Sequence, residues 1–154
     1  MEELVKTQFT VATSLHRVLL DENNALKARD ADRIKALSEE KIRLTSSLEQ
    51  LASQQGELLT AKGLTLSAEG LNDYARQLPD GRAAGFNAAV KKLSEVLAQS
   101  KQQNQVNGQM IAATRQSVEV ALSILRGQNG SQELTYGPAG ETRSNPGSGS
   151  LAKA

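Results

Sequence analysis

Apolar residues recur every seven positions along most of this chain, and that interval leaves few architectures open. Leu4, Val11, Val18 and Ala25 fall seven apart, with Leu15, Leu19 and Leu26 beside them. Leu37, Leu44, Leu51 and Leu58 repeat the interval, flanked by Ile34 and Leu48. A third run comprises Val90, Leu97, Asn104, Ile111, Val118 and Leu125, with Phe86, Leu93, Ser100, Asn107, Thr114 and Ala121 on the alternate seam. Spacings of three, four and seven put side chains on one stripe of an α-helix, whereas a half-buried strand needs a period of two. The residues agree: Leu and Ala dominate, and aromatics make up only 3%, so strand formers are scarce.

The first two runs are out of phase between Leu26 and Ile34, where Asp30-Ala31-Asp32 offers Asp30 as a helix N-cap. The phase change predicts either a kink or a short break near residue 30, with helix resuming to about residue 61. Gly63, Gly70, Pro79 and Gly81 punctuate residues 60–83. Within that stretch Ser67 suits the N-cap of a short helix carrying Leu71, Tyr74, Ala75 and Leu78, placed to close the end of a hairpin. The third run predicts a helix of roughly 40 residues, about 60 Å long. After Gly127 the pattern stops; residues 127–154 hold six of the 12 glycines and two of the three prolines. A segment of that kind buries too little to offset its ordering entropy.

The expected fold is therefore all-α. Two long helical arms form an antiparallel hairpin or bundle, the first altered near residue 30, with a short corner helix and a disordered C-terminal tail. Helices are expected at about 2–28, 31–61, 67–78 and 83–126, making one helical domain of residues 1–126 and a flexible tail of 127–154.

Composition argues against most chemistry. With 18 Lys+Arg against 17 Asp+Glu the net charge is +1, which gives no electrostatic basis for binding nucleic acid. There is no cysteine and a single histidine, His16. Thiolate sites, paired Glu-x-x-His metal sites and a zinc site of His and Cys are all out of reach. A Ser-His-Asp triad would have to use His16, which lies within a helix with no loop to shape a pocket. Gly56 to Gly63 lacks the Gly-Lys-Ser/Thr ending of a phosphate loop. Asp21-Glu22 and Glu39-Glu40 are adjacent, so their side chains diverge on a helix. No catalysis and no cofactor are expected. The start, Met1-Glu2-Glu3-Leu4-Val5-Lys6, is acidic and unlike a secretory signal, and no apolar run is long enough to cross a bilayer. A cytoplasmic protein without membrane insertion is expected.

Protein contact remains. From Gln102 to Thr114 there is no charged residue, although an exposed helix normally alternates charges. Ser100, Asn104 and Asn107 are polar where the seam calls for apolar residues, and Gly108 interrupts the helix. Two readings fit: a polar seam that sets register between paired helices, or a softened segment beside a binding surface. Met110, Ile111, Val118, Leu122 and Leu125 supply apolar bulk on either side of Arg115 and Glu119, enough to take a partner's amphipathic helix. Tyr136, within Leu134-Thr135-Tyr136-Gly137-Pro138, is either incidental or part of a short docking motif.

Leu19-Leu20-Asp21-Glu22-Asn23-Asn24-Ala25-Leu26-Lys27-Ala28-Arg29-Asp30 and Leu37-Ser38-Glu39-Glu40-Lys41 resemble the start of FlgN-type flagellar export chaperones. Asn104-Gln105-Val106-Asn107-Gly108, Ser123-Ile124-Leu125 and Tyr136-Gly137-Pro138 resemble that family's C-terminal half. The resemblance implies a cytoplasmic type III export chaperone. Its clients would be flagellar hook–filament junction proteins (FlgK- and FlgL-like), held by their C-terminal helical segments, kept from premature assembly and delivered to the export gate. Carried over by position, the client-binding residues would be Asn104, Asn107, Met110, Ile111, Val118, Leu122 and Leu125. Tyr136 matches a position implicated in docking on the export gate. A homo-oligomer stays open, and so does a coiled-coil scaffold or adaptor with no export client.

Overall fold

The computed structural model describes residues 1–79 and 81–126, and among them all regular structure is helical. The elements are α1 (Glu2–Ala28), α2 (Ala31–Thr60), α3 (Ala68–Arg76) and α4 (Arg82–Leu125). The chain divides into two units, Met1–Thr114 and Arg115 onward. Composition places the boundary after residue 126; packing places it earlier, because the last buried residue of α4 is Asn107. The expected flexible tail, residues 127–154, lies outside the described residues.

Of the two alternatives near residue 30, the structure adopts the short break, and it reverses the chain. Arg29 takes the left-handed conformation (φ 56°, ψ 34°). Its N–H donates to the Leu26 carbonyl at 3.2 Å, and the Asp30 N–H donates to the Ala25 carbonyl at 3.0 Å. This is the Schellman arrangement, which satisfies helix-end carbonyls as the chain turns away. Asp30 is extended, and its carboxylate accepts from the Arg33 N–H at 3.0 Å, capping α2. Two residues thus end one helix and start the next.

Contacts at both ends of the pair fix its direction. Lys41 Nζ lies 2.6 Å from the Glu22 carboxylate, near the turn, and Gln8 Nε2 donates to Gln55 Oε1 at 3.3 Å, far from it. The helices α1 and α2 are therefore antiparallel partners, not two halves of one arm. Reversal answers the phase change, since each stripe can then face the other. Val18 and Ala25 of α1 and Leu37 of α2 form a buried cluster there, with Ile34 and Leu44 against it. The sevenfold set of α2 does not stay inward over its whole length. Leu37 is buried and Leu58 is exposed, whereas Gln55 and Leu59 are buried. A straight helix of 3.6 residues per turn drifts about 20° per heptad, so the inward position migrates.

The remaining long helix runs parallel to α1. Arg82 Nη2 lies 2.7 Å from Glu2 at one end, and Asn107 meets Leu19 and Glu22 at the other. Both helices bury residues seven apart: Val5, Ala12 and Leu19 on α1, and Phe86, Leu93, Ser100 and Asn107 on α4. Matching heptads in phase are what a coiled-coil pair requires. The seam that the structure buries on α4 is thus the Phe86 one; Leu97, from the other seam, is 40% exposed.

Val5, Ala12, Phe86 and Leu93 share a core cluster with Ala75 of α3, covered by Leu71, Tyr74 and Leu78. The corner helix thus closes the bundle at the end where α1 and α4 begin, with the Tyr74 and Phe86 ring centroids 5.2 Å apart. Ser67 caps α3 by accepting from the Gly70 N–H at 3.1 Å. A Cβ at residue 70 would lie 2.0 Å from the Thr65 carbonyl oxygen, so only glycine fits.

The reversal generates a test. A side chain in the left-handed region costs roughly 1 kcal/mol that glycine does not incur. Arg29→Gly is expected to raise stability by up to about 1 kcal/mol, and Arg29→Val, β-branched, to lower it by about 1–2 kcal/mol. Urea denaturation of both variants reads this out. Equal stability of the two would mean that the turn is not held in this conformation.

Candidate functional site

At the level of Leu19 and Glu22 the three long helices meet through polar side chains. Asn107, only 1% exposed, uses the whole hydrogen-bonding capacity of its amide. Its Nδ2 donates to the Leu19 carbonyl at 2.8 Å and to Glu22 Oε2 at 2.7 Å. Its Oδ1 accepts from Asn23 Nδ2 and Gln103 Nε2, each at 3.0 Å. Glu22 is itself 1% exposed, and its other oxygen takes the Lys41 ammonium at 2.6 Å. One carboxylate and one amide therefore tie α1 to α2 and α4. A buried carboxylate is tolerated only when paired and hydrogen-bonded, and both conditions are met.

Beside this joint a groove opens between α2 and α4. It has a volume of about 540 Å³, with Leu15 and Leu19 at its floor, Ile42 and Thr45 on the α2 bank, and Leu97 and Asn104 on the α4 bank. Ser46 and Ser100 also line it. Small side chains on both banks leave the space unfilled, and Ile42 stays 63% exposed. A recess of about 320 Å³ continues the groove past Leu93 to Gln8 and Gln55. There the buried Gln8 Oε1 has no hydrogen-bond partner among the described residues.

Beyond Thr114, the second unit presents an apolar surface. Val118 is 52% exposed, Leu122 40% and Leu125 82%, and Val120 and Ile124 are exposed too. Val118, Leu122 and Leu125 stand at intervals of four and three and share one face.

The residues singled out from sequence separate into three environments. Asn107 is inside the bundle, so its side chain offers nothing at the surface. Met110 and Ile111 are half-buried, and Met110 Sδ accepts from Asn23 Nδ2 at 3.3 Å. Asn104 is exposed on the groove bank, while Val118, Leu122 and Leu125 are exposed in the second unit. Tyr136 lies outside the described residues. Sequence reasoning missed Glu22, Asn23 and Lys41 as partners of Asn107. A signal existed: Glu22 follows Leu15 by seven and Leu19 by three, which places a charge on an apolar stripe.

No group of three or more His, Cys, Asp or Glu able to hold a metal occurs among the described residues, and none of their helices is long and apolar enough to cross a membrane. His16 is half-buried at the stripe edge, with Nδ1 enclosed and lacking a partner among the described residues. Ionisations are shifted at two surface pairs. A hydrogen bond from Lys6 lowers the Glu3 carboxyl below its ordinary range and raises Lys6, and the Glu2 carboxylate raises Arg82 in the same way. Pairs this exposed are heavily screened by solvent.

The joint has a sharp thermodynamic signature. Lys41→Met should cost about 3 kcal/mol, because Glu22 is left as a buried charge without its cation. Adding Glu22→Gln should recover most of that loss, since the neutral amide still accepts from Asn107. A denaturation cycle over the four proteins checks it; additive losses would show that the two groups do not act as a pair.

The comparisons with known proteins bear on the whole chain. A family model described as FlgN protein matches residues 1–144. No curated protein matches the sequence. A crystal structure of a flagella synthesis protein FlgN from Pseudomonas aeruginosa is similar at a TM-score of 0.65 and 30% identity, over 80% of this chain and 93% of that one. The family model spans nearly all residues and the structural match covers four-fifths of the chain, so the chain belongs to the FlgN family of flagellar synthesis and export chaperones.

Proposed function

We propose that this chain is a cytoplasmic type III export chaperone. It binds the C-terminal helical segment of flagellar hook–filament junction proteins, FlgK- and FlgL-like, and delivers them to the export gate. Filament-forming proteins carry amphipathic termini that pair with one another. Covering such a terminus lowers the free concentration of the pairing surface by mass action. Release must follow, and ordering the client helix on binding keeps the net affinity moderate.

The observation that carries this reading is the solvent-facing stripe Val118, Leu122 and Leu125 on the last turns of α4. An apolar helix face without a partner is the complement of an amphipathic client helix. The uncharged run from Gln102 to Thr114 precedes it on the same helix. Of the seven candidate residues, the exposed ones, Val118, Leu122, Leu125 and Asn104, are the contacts we assign to the client. Met110 and Ile111 support them from half-buried positions, and Asn107 acts indirectly by holding α4. Tyr136 is assigned to docking on the export gate.

Calorimetry with a junction-protein C-terminal peptide tests the assignment. Val118→Gln or Leu122→Gln should weaken binding by about 2 kcal/mol, roughly thirtyfold, with melting temperatures close to the parent because both side chains are already exposed. A scaffold without a client would bind no such peptide. Early melting with normal affinity would instead make these residues structural. For the gate, Tyr136→Ala should leave peptide affinity intact and reduce client secretion.

A further inference from the structure

We propose that two copies of this chain exchange their Arg115–Leu125 segments, each seating its stripe in the α2–α4 groove of the other. The occupant is thus a second copy of the same protein, which covers the stripe until a client helix displaces it.

The groove has the shape of a missing helix. Its banks are two helices, its floor is a third, and Ile42 and Leu97 expose apolar surface into it. From Lys41 to Glu49 the α2 bank is nine residues long, about 12 Å at the helical rise. The apolar stripe from Val118 to Leu125 is eight residues, about 10 Å. Bank and stripe are therefore matched in length as well as in polarity.

Charge selects one orientation. Lys41 and Glu49 stand on the α2 bank in that order. On the exchanged helix, Glu119 and Arg126 lie seven residues apart and flank the same side of the stripe. With the segment parallel to α2, Arg126 faces Glu49, and Glu119 approaches Lys41, whose ammonium already pairs with Glu22 at 2.6 Å; the reverse orientation would set Glu119 against Glu49. The other flank of the stripe carries Thr114, Ser117 and Ala121. These are small side chains that let the helix approach the bank holding Leu97 and Asn104. Because each copy supplies both a stripe and a groove, the exchange closes on itself as a two-fold dimer.

Sedimentation equilibrium on the full chain, from low to high micromolar concentration, tests this. The parent protein should show a monomer–dimer equilibrium. Leu122→Glu and Ile42→Glu should each raise the dimer dissociation constant by about tenfold or more while keeping the helical circular dichroism of the parent. If Ile42→Glu loses helicity, Leu97→Glu takes its place and is read the same way. An equimolar mixture of the stripe variant and the groove variant should regain association, since one keeps an intact groove and the other an intact stripe. A parent that stays monomeric throughout would overturn the proposal. So would a dimer lost with Leu122→Glu but indifferent to both groove variants, which would mean that stripes pair with stripes. Failure of the mixture to associate would count against it equally.

Discussion

The amide of Asn107 holds this bundle in register. It spends two donors on α1, at the Leu19 carbonyl and the Glu22 carboxylate, and two acceptor positions on Asn23 and Gln103. The pairing of α1 with α4 rests elsewhere on Val5, Ala12, Phe86 and Leu93. Apolar heptads alone tolerate a slip of seven residues, because each knob finds an equivalent hole. After such a slip Glu22 would face Ser100 or Thr114, whose single hydroxyl cannot replace the two donors of the amide, and a carboxylate buried without its donors costs several kcal/mol. Polar groups placed here exchange some stability for a single alignment.

The groove follows from the same alignment. With α4 pinned to α1 at Asn107, its neighbouring residues Leu97, Ser100 and Asn104 are turned toward α2 at a fixed height. Opposite them stand Thr45 and Ser46, which are too small to fill the gap. Bulky residues at these positions would have drawn α2 and α4 together into a closed three-helix core. The structure instead retains an apolar cleft whose floor, Leu19, belongs to the residue that supplies a carbonyl to the joint.

Much of this could be read from the residues. Heptad spacing pointed to helix, which is all the regular structure among the described residues, Ser67 and Asp30 marked two helix starts, and the polar seam on α4 pointed to register control. The chain reversal was harder to see. Left-handed helix ends usually advertise themselves with glycine, but here Arg29 occupies that position between Ala28 and Asp30, so the sequence supports a kink equally well. The choice of buried seam was also hidden. The Val90 seam of α4 carries five apolar residues and one polar, the Phe86 seam three of each, so composition favours the seam that is not buried; the phase of Val5, Ala12 and Leu19 opposite selects Phe86, Leu93, Ser100 and Asn107. The groove is a tertiary property: nothing local marks Ile42 or Leu97 as facing a gap. The three environments of the candidate contacts were invisible for the same reason, since spacing gives a face but not what lies against it.

An apolar stripe on the final turns of a structural helix has a physical advantage over one on a separate element. Val118, Val120 and Ile124 are β-branched, and eleven residues are too few to hold an isolated helix in water. The unfavourable step in helix formation is nucleation, whereas extending an existing helix adds one hydrogen bond for each residue fixed. Packing at Phe86, Leu93 and Asn107 has already formed α4, so its last turns propagate from structure that exists for other reasons. They need no burial of their own to be helical, and their apolar side chains stay free for a partner. The conformational cost of association then falls mainly on the incoming helix. Affinity for a partner helix therefore depends both on the exposed side chains of the stripe and on how readily the partner's segment forms a helix.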